Sequence, residues 1–191
     1  MSDVLIAAVL VAISYLIGGV PAADLGGRLQ RGVDIREHGN GNVGTVNAVR
    51  MLGMRSGLLI LGADAAKGAL VIAIGRFAGA SDYTLFAMAI AVTAGHNWSP
   101  YIGFKGGKGV AVIFGISLAM APVLSTLAGP VVFAIYFATR SWVWAFGAGI
   151  IAINAIFIGT GAPALCIILC LVLSFLVITT HFAREFTELK Q

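Results

Sequence analysis

Val110-Ala-Val-Ile-Phe-Gly-Ile-Ser-Leu-Ala-Met-Ala-Pro-Val-Leu-Ser-Thr-Leu-Ala-Gly-Pro-Val-Val-Phe-Ala-Ile-Tyr-Phe-Ala-Thr139 runs for 30 residues without a charge. About 20 apolar residues cross the hydrocarbon core of a bilayer, so the run is long for one helix and short for two. Its flanks decide between them. Lys105 and Lys108 precede it and Arg140 follows it, and Lys and Arg concentrate in cytoplasmic loops. With both flanks in the cytoplasm, the chain crosses an even number of times between them. Met120-Ala-Pro122 is then a turn, since proline cannot continue a helix from the residue before it. Each arm has about 15 residues, roughly 22 Å at the usual rise, and the mismatch is taken up by packing or local thinning.

Outward from this run the whole chain is apolar. Its 191 residues are 59% hydrophobic and 10% charged, with mean hydropathy +0.98; this excludes a soluble globular domain. Further spans are expected at 4–21, 57–75, 83–102, 142–158 and 163–180. The first ends or kinks at Pro21. The expectation is an all-α polytopic integral membrane protein with seven transmembrane helices, two of them short and central, in one domain over residues 1–191. With the N-terminus outside, the inner loops and tail hold Arg28, Arg31, Arg36, Arg50, Arg55, Lys105, Lys108, Arg140, Arg184 and Lys190, ten of the twelve Lys and Arg. The asymmetry orients the chain N-out with a cytoplasmic C-terminus. The first apolar run has no basic flank and no small-residue cleavage site, so no cleavable signal is expected. Cys166 and Cys170 stand four apart in an apolar run, which suits packing rather than a redox or metal pair. Trp98, Tyr101, Trp142 and Trp144 read as interfacial belt residues.

Two glycine-rich loops fall on the inner face in this topology. Gly103-Phe-Lys-Gly-Gly-Lys-Gly109 holds Lys105 and Lys108 between glycines, whose bare backbone can point successive N–H groups at an anion. A flexible, positive-inside turn is the other reading of such a loop. The second loop, His38-Gly-Asn-Gly-Asn-Val-Gly-Thr-Val-Asn-Ala-Val-Arg50, favours the cradle. It supplies glycines, the amides of Asn40, Asn42 and Asn47, and Arg50 as a fork for phosphate. Gly39, Gly41 and Gly44 formally satisfy G-x-G-x-x-G, but no strand precedes them and no βαβ unit surrounds them, so a dinucleotide fold is rejected. Asp64 and Lys67 lie three apart inside a span, a charge pair that marks a functional group or a lock between helices. Two cradles on one face suit two phosphates, or one ligand with a substituent in each.

Gly39-x-Gly-Asn-Val-Gly-x-x-Asn47 with Arg50, Asp64-x-x-Lys-Gly68, and Gly95-His96 with Phe104-Lys-Gly-Gly-Lys-Gly-Val110 resemble the motifs of the bacterial acyl-phosphate-dependent glycerol-3-phosphate acyltransferases (PlsY type). The likeness covers most of the chain in the same order. It implies transfer of a fatty acyl group from acyl phosphate to the sn-1 hydroxyl of glycerol 3-phosphate in the bacterial inner membrane, with the active site on the cytoplasmic side, the first step of phospholipid synthesis. Acyl phosphate, glycerol 3-phosphate and the bilayer are the implied partners; no metal, cofactor, nucleic acid or acyl carrier protein is expected. The H-x-x-x-x-D signature of other acyltransferases is absent, with Tyr101 and Phe186 in the Asp places. An acyl phosphate is already activated, so placing two anions together and screening their repulsion supplies most of what the reaction needs.

The resemblance assigns Gly39, Gly41, Asn42, Gly44 and Asn47 to the acyl-phosphate cradle, and Arg50 and Lys105 to glycerol 3-phosphate. It makes Asn40, Lys105 and His181 catalytic, and places Gly106, Gly107, Lys108 and His96 about the substrates. For His96 the competing reading is a helix-end histidine hydrogen-bonded to a loop carbonyl, away from substrate. The chain departs from the family where Asn40 replaces Ser, Val46 and Val112 replace Thr, Trp144 and Gly147 replace serines, and Thr180 and Arg184 replace Arg and Asn. A non-catalytic or transporter-like protein that binds phosphate esters or lipids is the alternative.

Overall fold

The protein is described from a computed structural model covering residues 2–188, with side chains described through Ala183. Lys190 and the side chain of Arg184, both counted above toward orientation, lie outside the described residues. Among the described residues every regular element is helical, and the chain divides into two compact units, Met1–Ile116 and Ser117–Gln191.

In the first unit, α1 (Asp3–Gly19) stops just before Pro21 and α2 (Ala22–Arg31) restarts after it, as the proline predicts. Gly32 closes α2 in the left-handed region at φ 67, its N–H returning to the Gly27 and Arg28 carbonyls, a Schellman-type end. A single 3-10 turn (Ile35–Glu37) leads through the glycine loop into α3 (Thr45–Leu52), and Gly53 turns the chain into α4 (Met54–Phe77). The Ser81 side chain accepts from the Thr84 N–H and caps α5 (Asp82–Asn97). A second 3-10 turn (Pro100–Ile102) precedes the lysine loop and α6 (Val110–Met120). The expected span 83–102 is thereby divided, because Pro100 and the polar run from Gly95 give the backbone partners other than a continued helix.

Helices surrounded by hydrocarbon gain little from burying apolar surface, so contact depends on close backbone approach at small residues. On α1, a Cβ at Gly18 would stand 2.0 Å from the Val92 carbonyl oxygen of α5. On α6, one at Gly115 would stand 1.8 Å from the Ala65 carbonyl oxygen of α4. Beneath the loops, Ala23, Ile35, Val43, Ala48, Ile60 and Ile102 form one buried apolar cluster. It joins α2, α3, α4 and both 3-10 turns.

The second unit holds the end of the run that opened the sequence. Ala121 leaves the helical region at φ −145 and Pro122 starts α7 (Pro122–Leu127), so the break expected at 120–122 is present. A further break, before α8 (Gly129–Thr139), was not expected. Pro130 has no N–H to return to Thr126, and Gly129 adds backbone freedom. Helices α9 (Trp142–Gly159) and α10 (Ala164–Glu188) follow. Asn154 Nδ2 donates to Ser174 Oγ at 2.7 Å and ties α9 to α10. Trp142 stacks on Tyr136 with ring centres 3.9 Å apart, whereas Trp98, Tyr101 and Trp144 are exposed. Both cysteines are free.

Among the described residues, five helical stretches are long and apolar enough to cross a bilayer: Asp3–Arg31, Met54–Phe77, Pro122–Thr139, Trp142–Gly159 and Ala164–Ala183. Helix α5 has 16 residues and α6 has 11; at the usual rise they span roughly 24 and 16 Å, less than the hydrocarbon thickness.

Gly18→Ala forces α1 and α5 apart and is expected to destabilise the protein by about 2–3 kcal/mol. Gly62→Ala, on a stretch of α4 with open space at the Cβ position, should be neutral or stabilising by about 0.5–1 kcal/mol. Thermal unfolding of both variants in detergent measures the contrast, and equal shifts would contradict the packing described.

Candidate functional site

The loop before α3 is shaped from its own polar groups. Asn47 is fully buried on the first turn of α3; its Nδ2 donates to the carbonyls of Ile35 and His38, each at 3.0 Å, and its Oδ1 accepts from the Asn40 N–H at 3.1 Å. Asn40 Oδ1 accepts in turn from the Asn42 N–H at 3.2 Å, and Asn40 is exposed. Gly39 sits at φ 66, and a Cβ there would lie 2.1 Å from Asn47 Oδ1. The expected cradle residue Asn47 is therefore an internal clamp of the loop. Gly44 stands at the N-terminus of α3 with no side chain capping it, so the first N–H groups of this helix remain available to an acceptor. Arg50, one turn further on, is exposed.

The lysine loop is anchored at several points. Tyr15 Oη donates to the Trp98 carbonyl at 2.7 Å, and Ser99 Oγ donates to the Gly19 carbonyl; both tie the chain after α5 to α1. Phe104 is a non-glycine residue at φ 60, its N–H donating to the Ser99 carbonyl at 2.8 Å. Such a conformation persists only where the surroundings impose it. It leads directly into Lys105, which is exposed, while Lys108 is half-buried.

The open N–H groups expected at Gly106 and Gly107 are engaged. Gly106 donates to the Asn97 carbonyl at 3.1 Å and Gly107 to the His96 carbonyl at 2.9 Å, because the loop folds back over the end of α5. What these glycines provide is proximity. A Cβ at Gly107 would lie 2.1 Å from His96 Nε2 and 2.9 Å from the Val43 carbonyl oxygen. The two glycine loops, 39–44 and 103–109, are thus in direct contact.

A second link joins them. Arg36 Nη1 donates to the Ile102 carbonyl at 2.9 Å while its Nε bonds Asp34. Arg28 adds a contact to Asp34 at 3.2 Å and one to Asp24 at 2.9 Å. The Arg36 guanidinium, bonded to the Asp34 carboxyl, holds it far below the usual carboxylate range, against burial, which pushes it up; Asp34 in turn raises Arg36. Nothing in the spacing of Asp34 and Arg36 marks this bridge, since its far end is a backbone carbonyl distant in sequence.

His96 is buried and turns its Nδ1 toward Lys67 and Asp64. It stands in the last turn of α5, and its main-chain carbonyl accepts from the Gly107 N–H of the loop. The other expected catalytic residue, His181, is half-buried on α10 in the second unit. Of the positions that depart from the family, Val112 is fully buried, and Thr180 is buried with its hydroxyl donating to the Leu176 and Val177 carbonyls at 2.7 and 3.0 Å.

Comparison with known proteins matches residues 8–188 to the sequence model of a family described as glycerol-3-phosphate acyltransferase. A relative from Moorella thermoacetica, named glycerol-3-phosphate acyltransferase 2, is 46% identical over 110 residues, 58% of this chain and 56% of its own. The chain spans about half the length of the first curated relatives it matches, 56%, 52% and 49%. A relative from Thermus thermophilus, named glycerol-3-phosphate acyltransferase, is 34% identical over 169 residues, 88% of this chain and 84% of its own. The crystal structure of PlsY (YgiH), an integral membrane glycerol 3-phosphate acyltransferase in its glycerol 3-phosphate form, is similar with a TM-score of 0.87 and 30% identity, over 96% of this chain and 92% of that one. Its lysophosphatidic acid form matches with a TM-score of 0.86 at 29% identity, over the same shares.

Because the folded-state pKa of Asp34 is depressed, its contribution to stability is complete above the unfolded-chain value of about 3.9 and declines as pH falls below that. Asp34→Asn should lower the melting temperature at pH 7 and flatten its decline between about pH 5 and pH 3. Parallel pH profiles for the two proteins would show that the Asp34–Arg36 bridge does not hold the loops.

Proposed function

The chain belongs to the glycerol-3-phosphate acyltransferase family, and from that premise we propose that it transfers a fatty acyl group from acyl phosphate to the sn-1 hydroxyl of glycerol 3-phosphate. The products are 1-acyl-glycerol 3-phosphate and inorganic phosphate. The observation that carries this reading is the contact between the two glycine loops, with Gly107 against the Val43 carbonyl and Arg36 bound to Ile102. It brings the asparagine-glycine loop and the lysine loop to one place, as a reaction between an acyl phosphate and a phosphate ester requires.

In this reading the substrate hydroxyl oxygen attacks the acyl carbonyl carbon, the bond from that carbon to the phosphate oxygen breaks, and the hydroxyl proton leaves with inorganic phosphate. The mixed anhydride carries its own leaving group, so the protein supplies placement and positive potential. The α3 N-terminus and the Asn40 amide receive the acyl phosphate within the 39–44 loop. Arg50 and Lys105 hold glycerol 3-phosphate, with Lys108 adding field. Lys105 lies on the backbone set by Phe104, and Asn47, Gly106 and Gly107 shape the walls. His181 is assigned a catalytic role by its match to the family's C-terminal histidine alone. The donor binds without acyl carrier protein.

The finer topology belongs to the same proposal: seven spans in one acyltransferase domain, N-terminus outside, both loops on the cytoplasmic side of the bacterial cell membrane. Packing against α1 and α4 through Gly18 and Gly115 lets the short helices α5 and α6 serve as spans, with the bilayer thinning locally.

Purified protein given palmitoyl phosphate and glycerol 3-phosphate is expected to release inorganic phosphate and form the 1-acyl product. Arg50→Ala and Lys105→Ala should each cut the rate by about 100-fold or more at an unchanged melting temperature. Binding of phosphate ester without phosphate release would instead identify a non-catalytic or transporter-like protein.

A further inference from the structure

Three ionisable side chains are buried beneath the lysine loop: Asp64 is 2%, Lys67 9% and His96 8% exposed. Lys67 Nζ lies 2.7 Å from Asp64 Oδ1 and donates to the carbonyls of Val20 at 2.7 Å and Gly18 at 3.2 Å. These are carbonyls at the end of α1, where Pro21 interrupts the ladder. The Asp64 contact is an ion pair, charge against charge. His96 Nδ1 stands 3.5 Å from Lys67 Nζ and 3.6 Å from Asp64 Oδ1. On its other edge the same ring occupies the space where a side chain at residue 107 would be, and its carbonyl receives the Gly107 N–H. The cavity enclosed by Asp64, His96, Ser99, Gly106 and Gly107 has a volume of about 10 Å³, room for roughly one water molecule, so a displaced ring cannot be absorbed there.

We infer that Asp64, Lys67 and His96 form a positioning network, with the Asp64–Lys67 pair fixing the His96 ring and the ring setting the height of loop 103–109 against loop 39–44. This rests on the reading of those loops as the substrate cradle. A buried ion pair is poor evidence of stability, because apolar residues of similar size often serve as well, and its best-attested use is to fix one register. Here the register is that of Gly107, two residues after Lys105, against the Val43 carbonyl. None of the three residues needs to touch a substrate.

The test uses full-length protein in lipid nanodiscs, with turnover measured at saturating palmitoyl phosphate and glycerol 3-phosphate binding measured by calorimetry. His96→Ala and the near-isosteric double variant Asp64→Asn/Lys67→Met are expected to raise both KM and Kd for glycerol 3-phosphate about tenfold, with kcat within about threefold. His96→Gln, whose amide reaches toward the same place, should recover most of the loss. Unchanged KM and Kd in both variants overturn the inference. So does a lowered melting temperature alone, or a loss of kcat at constant KM. Where His96→Ala fails to fold, the double variant decides, since it leaves no lone charge buried. Wild-type protein that binds glycerol 3-phosphate without releasing phosphate refutes the acyltransferase reading, and the Kd series still decides the network.

Discussion

Lys67 joins the end of α1 to α4, and the site is assembled around that junction. A helix that stops in apolar surroundings leaves its last carbonyls without partners, and each unsatisfied group there costs several kcal/mol. Pro21 forces such a stop after Gly19. The Lys67 ammonium satisfies the Gly18 and Val20 carbonyls and places positive charge at the negative end of the α1 dipole. Asp64, one turn earlier on α4, neutralises it. Removing either partner leaves an uncompensated buried charge, at a cost of about 3–5 kcal/mol. With α1 fixed in this way, its neighbouring Gly19 carbonyl is placed to accept from Ser99, and the lysine loop is anchored on it.

Both loops are made firm by internal satisfaction of their backbone. Asn47 takes two carbonyls and one N–H of the first loop, and Arg36 reaches from that loop to Ile102 beside the second. Each neutral hydrogen bond contributes only about 1 kcal/mol, but leaving a buried partner unmade costs more, so these bonds favour the observed loop conformations. Left over from these contacts are the uncapped start of α3 and the exposed residues Asn40, Arg50 and Lys105, the groups to which the proposed function assigns the two anions.

The departures from the family pattern fall into two physical kinds. Val112 and Thr180 are buried, with the valine packed and the threonine hydroxyl directed at its own helix, so both are part of the helix packing. Asn40 is exposed, and its amide retains a donor where the family has a hydroxyl. Gly147 has open space at its Cβ position, so the serine of the family pattern would meet no steric obstacle there.

The helical breaks at Pro21 and at Ala121-Pro122, the Asp64–Lys67 pair and the apolar spans were legible in the order of residues, because proline geometry, i,i+3 spacing and hydropathy are local properties. The break before Gly129 was equally local, carried by Gly129-Pro130, and went unforeseen because an uninterrupted apolar run outweighed it. The two glycine loops could be named as a pair from their composition. Their contact, the engagement of the Gly106 and Gly107 N–H groups, the hold of Asn47 on its own loop and the placing of His96 beside Lys67 and Asp64 required the tertiary structure. Each depends on a partner far along the chain, often a backbone carbonyl that every residue type possesses and no sequence pattern can single out.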